Sequence, residues 1–261
     1  MIFDTHMHCE FSCDSSMKLA DAVAAAAAEN IGMTLTEHWD YDYPTNPDAF
    51  TYDIAACFRN FAPYRSRERL IGIEIGMQTH TAEADDKVAA GHDFDFVLGS
   101  IHCVGRRDLY EKSCYEGYAR DEIIREFLGD SIICVENHKC FDAFAHIDYI
   151  CRYWPFVGDE RELQLNDNKG LFDKLFLLLI ERNIPIEINT RRLDDDKAAK
   201  ALLLLYKRYQ ELGGKYCTLG SDAHYKEHVG RRMAEAVILA KAAELTPVYF
   251  RERKMQIMEG L

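Results

Sequence analysis

The sequence lacks any long hydrophobic run. Its longest stretch of large apolar side chains is LFLLLI at 175–180, whereas a helix that crosses a bilayer needs about 20 apolar residues. The first ten residues, MIFDTHMHCE, contain no basic segment followed by an apolar one, which is the pattern of a secretory signal. We therefore expect no membrane span and a cytoplasmic location.

Positive charge and paired cysteines are also scarce. Lys and Arg total 31 against 44 for Asp and Glu, which gives a net charge of −13. Surfaces that hold nucleic acid or anionic lipid are strongly basic, so neither is an expected partner, and an anionic substrate needs a local positive site. The nine cysteines form no C-x-x-C pair, which favours free thiols in a reducing compartment over a disulfide framework.

Short β-rich runs alternate with longer helical or loop segments. Strands are predicted at 2–6, 33–37, 70–75, 95–99, 143–147, 184–189 and 216–221. Apolar spacing predicts helices at 17–30, with Ser16 as a candidate N-cap, and at 168–182, 197–212 and 229–242. This alternation predicts an α/β fold with a parallel sheet, and about seven units in one domain over 1–261 favour a (β/α) barrel. An open doubly wound sheet remains an alternative, and 104–131 is expected to be an insertion.

Side chains that ligate metals cluster at or near the predicted strand ends. His6 and His8 alternate at the end of the first strand, so both imidazoles point to the same side. Parallel barrels keep their active sites at the carboxyl ends of the strands, so we expect the candidates to meet there. The nine candidate donors are His6, His8, Asp14, His38, Glu74, His102, His146, Asp222 and His224.

Nine donors exceed the three protein ligands of one catalytic zinc and indicate two or three divalent metal ions. Histidine ligands favour zinc, iron or manganese over magnesium or calcium, without choosing among the three. Asp14 could instead cap the following helix, and Glu37 could orient a ligand or lie on the surface. The remaining histidines lie away from predicted strand ends or on polar stretches and are expected to be structural, with His228, close to GSDAH, as the exception to check: His80, His92, His138 and His228.

The motifs, taken in order, resemble one known family. They are DTHMHCEFSCDS, LTEHWD, GIEIG, GSIHCV, FAHIDYICRYWP, IEINT and GSDAH, between residues 3 and 225. This series resembles the polymerase-and-histidinol-phosphatase (PHP) family and, within it, the monofunctional histidinol-phosphate phosphatases. The resemblance implies a distorted (β/α)7 barrel with a trinuclear metal centre.

The resemblance also implies three ligand sets. The first metal would be held by His6, His8, Glu74 and Asp222; the second by Glu74, His102 and His146; and the third by Asp14, His38 and His224. Some family members have His at the position of Asp14, a departure that bears on the metal preference or occupancy of the third site.

The implied reaction is hydrolysis of a small phosphate monoester, most simply L-histidinol phosphate. Such an ester repels nucleophiles and has a poor leaving group, and clustered metals answer both obstacles electrostatically. We expect attack by a metal-activated water without a covalent phosphoenzyme, with His224 assisting at the third metal. Arg152 and one of Arg191 and Arg192 are expected to clamp the phosphate, because a guanidinium fork meets two oxygens at once. Of the pair, Arg191 is the weaker candidate.

Acidic residues near the mouth could attract a cationic amine on the substrate, and the candidates are Glu37, Asp40 and Asp42. Two other functions stay open. The first is a phosphoesterase of the same family that acts on another small phosphate ester or on a nucleic acid end. The second is a non-catalytic, metal-binding regulatory protein.

Overall fold

Strands and helices alternate along the chain in the computed structural model, which describes residues 1–261 except for the side chain of residue 159. The strands are β1 (Phe3–Asp4), β2 (Gly32–Trp39), β3 (Arg69–Gly76), β4 (Phe96–Ser100), β5 (Cys103–Val104), β6 (Arg107–Asp108), β7 (Ala143–Phe144), β8 (Ile186–Asn189), β9 (Tyr216–Gly220), β10 (Thr246–Arg251) and β11 (Lys254–Ile257). The helices are α1 (Leu19–Ala28), α2 (Ile54–Phe61), α3 (Ala82–Ala90), α4 (Arg120–Asn137), α5 (Lys169–Glu181), α6 (Asp196–Glu211) and α7 (Met233–Ala242).

Seven parallel strands form the wall of a closed, distorted barrel. Their order is β1, β2, β3, β4, β7, β8 and β9, and each neighbouring pair is parallel. The chain after β1 closes the ring against the end of β9: Thr5 N–H donates to the Leu219 carbonyl at 2.8 Å, and Met7 bridges Ala223. This closure confirms the predicted barrel and excludes the open sheet. Each of the seven predicted runs overlaps an observed strand.

The two faces of β3 and of β8 differ in polarity. On β3, Ile73 and Ile75 pack into the main hydrophobic core, which includes residues of the outer helices, while Glu74 between them points into the barrel. On β8, Ile186 and Ile188 pack outward in the same way. Alternation along a strand therefore places one apolar row under the helices and one polar row inside the ring.

The base of the barrel is filled by apolar side chains from strands that the sequence did not predict. β10 runs parallel to the start of β9 and turns back as β11. Val248 and Phe250 of β10 form a buried cluster with Phe96 and Leu98 of β4. Because Phe96 begins β4 and Ser100 ends it, the interior is apolar at the amino ends of the strands and polar at their carboxyl ends.

The segment expected to be an insertion at 104–131 is only partly one. Its second part is the start of α4, which continues to residue 137 and connects β4 with β7 as the ordinary helix of that unit. The extra structure is the β5–β6 hairpin and the 3₁₀ turn Lys112–Tyr115 that follows it. Throughout the described chain, no helix is long and apolar enough to span a membrane.

Candidate metal centre

A cavity of about 380 Å³ opens at the carboxyl ends of the parallel strands, and it is lined by seven of the nine candidate donors. These are Asp14, His38, Glu74, His102, His146, Asp222 and His224. His6 and His8 lie behind them, fully buried. The structure thus brings together all nine candidates, which come from six strand ends, as the barrel geometry predicts.

The first donor set comprises His6, His8, Glu74 and Asp222. The two Nε2 atoms lie 3.0 Å apart. They are 3.3 and 3.4 Å from Glu74 Oε2 and 3.8 and 3.6 Å from Asp222 Oδ1. Four donor atoms from three distant segments of the chain therefore surround one point.

The second donor set shares Glu74 through its other oxygen. Glu74 Oε1 lies 3.3 Å from His102 Nε2 and 3.0 Å from His146 Nε2, and it accepts the Ser100 hydroxyl at 2.5 Å. One carboxylate thus connects the first two sets, one oxygen to each.

The third donor set lies nearest the mouth of the cavity. Asp14 Oδ2 is 3.5 Å from His38 Nε2 and 3.1 Å from His224 Nε2. The His38 ring stacks on His8 with centroids 4.1 Å apart, so this set adjoins the first. Asp14 contacts both histidines rather than the N-terminus of α1, where the Leu19 N–H donates to Glu10 at 2.6 Å. The expectation that Ser16 caps this helix is therefore wrong.

These spacings fit shared cations. Nitrogen and oxygen ligands about 2.0–2.1 Å from a tetrahedral zinc lie about 3.3 Å from one another. The donor atoms in the three sets are 3.0–3.8 Å apart. The buried atoms Glu74 Oε2 and His38 Nδ1 lie 2.9 Å apart, but among the described residues neither has a partner in hydrogen-bond geometry. Buried polar atoms rarely stay unpaired, so a cation is a fitting partner for the carboxylate oxygen.

The carboxylates of the cluster are held as anions. Burial alone would raise the pKa of Glu74, but the facing charges of His6 and His102 outweigh it and keep that pKa well below its usual range. Burial opposes ionisation of Asp222 too, and Arg152 and His6 again keep its pKa well below the usual range. Ionised carboxylates are the form that binds a metal ion.

Outer hydrogen bonds orient several of the histidines. Asp40 Oδ1 accepts the Nδ1–H of His102 at 2.7 Å. Ser12 donates its hydroxyl to the buried Glu37, and its oxygen lies 3.3 Å from His8 Nδ1. Such contacts fix which ring nitrogen carries the proton and leave Nε2 free as a ligand. Glu37 therefore acts behind the site, one of the two roles that the sequence left open for it.

The arginines are placed differently from the sequence-based expectation. Arg152 lines the cavity, donates to Asp222 Oδ2 at 2.6 Å, and keeps two further buried nitrogens, Nε and Nη2, without partners in the described structure. Arg191 also lines the cavity and lies 3.6 Å from Asp222. Arg192 points the other way, into a buried ion-pair network with Asp148 at 2.9 Å and Glu162 at 2.5 Å.

Arg192 is therefore corrected from a phosphate clamp to a structural residue. The two arginines lie in the turn that follows β8, and of the two only Arg191 lines the cavity. The sequence does not reveal which of the two it is.

Of the three acidic residues expected at the mouth, only Asp40 lines the cavity. Glu37 bonds to Ser12, Asp40 bonds to His102, and Asp42 is half-exposed and pairs with His80 and Arg106. The cavity is also lined by a carboxylate that the sequence analysis did not single out, Asp108 on β6. The only feature of the sequence that pointed to Asp108 was the charge-rich segment after the fourth strand.

Aromatic side chains line the cavity together with the candidate metal ligands. Tyr149 packs against His102 and His146 with centroids 4.7 and 5.0 Å away, and Tyr153 contacts Tyr149 at 5.5 Å. Tyrosine and phenylalanine side chains from three further segments line the same space: Tyr43, Phe50, Tyr110 and Tyr225. None of these rings was a candidate in the sequence analysis.

The other histidines lie outside the donor sets. His80 pairs with Asp42 at 2.9 Å, and His138 is buried against Asp85 at 3.1 Å. His92 stacks near Phe58 at 5.9 Å. His228 lines a small side cavity of about 80 Å³ beside Arg191 and His224.

A family model described as "PHP domain" matches residues 4–191, more than half of the chain. The chain belongs to the PHP domain family. This PHP protein is 39% identical over 256 residues to a probable histidinol-phosphatase from Clostridium acetobutylicum, with 98% of the chain and 99% of the relative covered. It is 28% identical over 247 residues to a histidinol-phosphatase from Lactococcus lactis subsp. lactis, covering 92% of the chain and 90% of the relative.

A solved structure supports the same family. The crystal structure of histidinol phosphate phosphatase from Lactococcus lactis subsp. lactis, complexed with zinc, L-histidinol and phosphate, matches this PHP chain with a TM-score of 0.89. The two sequences are 26% identical, and the match covers 98% of each chain. The predicted family and the predicted distorted barrel are both confirmed.

Proposed function

We propose that the chain is a metal-dependent phosphatase that hydrolyses L-histidinol phosphate to L-histidinol and phosphate, a step of histidine biosynthesis. The 39% identity to a probable histidinol-phosphatase over 98% of the chain carries this proposal. The geometry supports it independently, because seven of the nine candidate donors and a partly unpaired arginine line the same cavity, and the other two donors lie directly behind them.

In the proposed enzyme, two or three divalent ions, zinc, manganese or iron, occupy the three donor sets. Bound there, the ions lower the pKa of a water molecule, neutralise the phosphoryl oxygens and stabilise the leaving oxygen. The residues that hold them are His6, His8, Asp14, His38, Glu74, His102, His146, Asp222 and His224. Glu74 serves two sets at once.

Two arginines bind the phosphate in this proposal. The unpaired Nε and Nη2 atoms of Arg152 are buried at the cavity wall, and a guanidinium with two free N–H groups matches two phosphoryl oxygens. Arg191, whose side chain is 43% exposed, supplies the second positive charge at the rim. His224 remains the candidate catalytic histidine beside them, because it lines the cavity and its Nδ1–H donates to the Asp222 carbonyl at 3.0 Å.

The aromatic wall with Asp108 accepts the rest of the substrate. L-Histidinol carries an ammonium group and an imidazole, and cations are attracted by a carboxylate and by the faces of tyrosine rings. Asp108 is buried, and its Oδ1 accepts the N–H of Tyr110 at 2.8 Å. Tyr149 lies beside the ligand histidines and contacts Tyr153, and both rings line the cavity.

The test is steady-state release of phosphate from histidinol phosphate, a nucleoside monophosphate and a sugar phosphate, with the metal content measured on the same sample. We expect kcat/KM for histidinol phosphate to exceed the others by more than about tenfold, which corresponds to about 1.4 kcal/mol. A smaller preference would favour another small phosphate ester as substrate. No release from any ester, in the presence of added zinc or manganese, would favour the non-catalytic regulatory protein.

A further inference from the structure

Two inward-facing side chains of β8, Glu187 and Asn189, have no part in the reaction proposed above. Both are buried. Glu187 Oε1 accepts the Nδ1–H of His6 at 2.7 Å, and Oε2 accepts the backbone N–H of His146 at 2.9 Å. Since His6 belongs to the first donor set and His146 to the second, one carboxylate supports both.

The barrel makes room for this contact at Gly220 on the neighbouring strand. A Cβ atom at Gly220 would lie 2.1 Å from Glu187 Oε1 and 2.6 Å from the Cβ of His6. Real Cβ atoms do not approach so closely, so a larger residue at this position would displace the Glu187–His6 pair. The absence of a side chain at residue 220 is therefore a condition for the hydrogen bond.

Asn189 extends the contact to the other side of the cavity. Its Nδ2 donates to Glu187 Oε2 at 3.1 Å and lies 3.5 Å from Asp222 Oδ2. Its Oδ1 accepts the backbone N–H of Arg191 at 3.0 Å. Two alternate residues of one strand thus touch both donor sets and the backbone of a phosphate-binding arginine.

We propose that Glu187 is a positioning residue that sets the metal affinity of the first two donor sets together, and that Asn189 orients Glu187. The proton held on His6 Nδ1 leaves Nε2 free to face Glu74 and Asp222, at 3.3 and 3.8 Å. The bond to the His146 backbone fixes the chain that carries the next ligand. This inference rests on the metal sites of the proposed function.

The substitution Glu187→Gln tests this role at nearly constant size. The Glu187 carboxylate offers an acceptor at each oxygen, and these face the N–H groups of His6, His146 and Asn189. Glutamine offers an acceptor at one position and an N–H₂ donor at the other. If the donor faces His6, it selects the tautomer whose Nε2 carries a proton and does not coordinate a metal. If the N–H₂ group instead faces His146, it points at the backbone N–H of that residue, and neither donor has an acceptor.

The matched control is Asp85→Asn. Asp85 is also a buried carboxylate that bonds to a histidine, with 3.1 Å between its Oδ2 and His138 Nε2, and neither residue lines the cavity. Each purified chain is stripped with a chelator and titrated with zinc against a competing chelator, and circular dichroism checks the fold. We expect Glu187→Gln to bind zinc about 10–100-fold more weakly at two sites, and Asp85→Asn to bind like the wild type.

Equal zinc affinity in the wild type and in Glu187→Gln would overturn this inference alone. A wild type that takes up no metal would overturn the proposed function as well, so the two failures are distinguishable. Should Glu187→Gln not fold, ¹⁵N-histidine NMR of the zinc-loaded wild type decides. A His6 ring with a protonated Nδ1 and a coordinated Nε2 supports the role of Glu187, and coordination through Nδ1 overturns it.

Discussion

Glu74 connects the donor sets because its two oxygens point to different histidines. Oε2 faces His6 and His8, and Oε1 faces His102 and His146. Its position inside the barrel follows from alternation on β3, where the residues on either side pack outward. Such a bridge needs two equivalent anionic oxygens, which no other side chain except aspartate supplies.

We therefore expect Glu74→Gln to lower kcat by at least about 100-fold, or about 2.7 kcal/mol in the barrier. The amide keeps the size of the side chain but replaces one acceptor oxygen with a donor. Phosphate release measures the effect, and circular dichroism confirms that the fold is kept. A Glu74→Gln chain with full activity would contradict the shared-metal arrangement.

The adjacent pair Arg191 and Arg192 allows a second test. Arg192 is buried with Asp148 and Glu162, and removal of one partner leaves buried charge uncompensated. We expect Arg192→Ala to lower the free energy of unfolding by about 3–5 kcal/mol. Arg191→Ala should raise KM for the phosphate ester and leave the thermal midpoint nearly unchanged. The reverse pattern in the two variants would show that the two arginines have been assigned the wrong way round.

Asp108 gives a test of substrate selection. We expect Asp108→Asn to raise KM for histidinol phosphate about tenfold, because one buried hydrogen bond or ion pair to the ammonium is weakened. KM for a sugar phosphate, which has no cationic group, should not change. Asp42→Asn is the control, since Asp42 is half-exposed and already paired with His80 and Arg106. Equal effects on both substrates would place the ammonium elsewhere.

The convergence of the nine candidate donors could be predicted because histidine and carboxylate side chains recur at strand ends, and a parallel barrel brings those ends together. The residues behind them could not. Glu187 looks like an ordinary charged residue in IEIN, and only the register of β8 against β7 and β9 shows that it faces His6. The orientation of Arg192 depends on Asp148 and Glu162, which are distant in the sequence.

The helices were predicted well where apolar residues recur strongly at helical spacing. The helices α5 and α6 differ from the expected ranges by one residue at each end. The shorter α2 and α3 were missed, although Asp53 caps α2 by accepting the Ala56 N–H at 2.9 Å. α3 carries two acidic residues in its first turn and has little apolar surface, so tertiary packing and not periodicity determines it.

The β10–β11 hairpin was missed because it is short, contains Pro247, and is rich in charge. Its role is visible only in three dimensions, where Phe250 stacks on Phe96 with centroids 5.3 Å apart at the base of the barrel. We expect Phe250→Ala to lower the free energy of unfolding by about 3–5 kcal/mol, because it leaves a cavity in a packed core.

Denaturant unfolding measures this loss, and zinc titration of the same variant should give the wild-type affinity. The cluster of Phe250 lies at the amino ends of the strands and the donors lie at the carboxyl ends. A large loss of zinc affinity without a loss of stability would contradict this separation and would mean that the base of the barrel affects metal binding directly.

At the scale of the whole molecule, the donor sets join parts of the chain that are far apart in sequence. The first set alone connects His6 and His8, just after β1, with Glu74 on β3 and Asp222 after β9. The barrel is closed at the same place by only a few backbone hydrogen bonds between residues 5–8 and 219–223. Metal ions bound there would hold the closure together from inside.

Metal removal should therefore destabilise the entire barrel and not only the active site. At a free metal concentration 100 times the Kd, one site contributes about 2.7 kcal/mol, which for a chain of this size is a rise of about 5–10 °C in Tm. We expect Tm to fall by at least this amount after chelation and to recover on addition of zinc or manganese. Histidine ligands must be unprotonated to bind, so the metal-dependent part of Tm should decline as the pH falls. A Tm that is indifferent to chelator at neutral pH would mean that the closure is held by protein contacts alone.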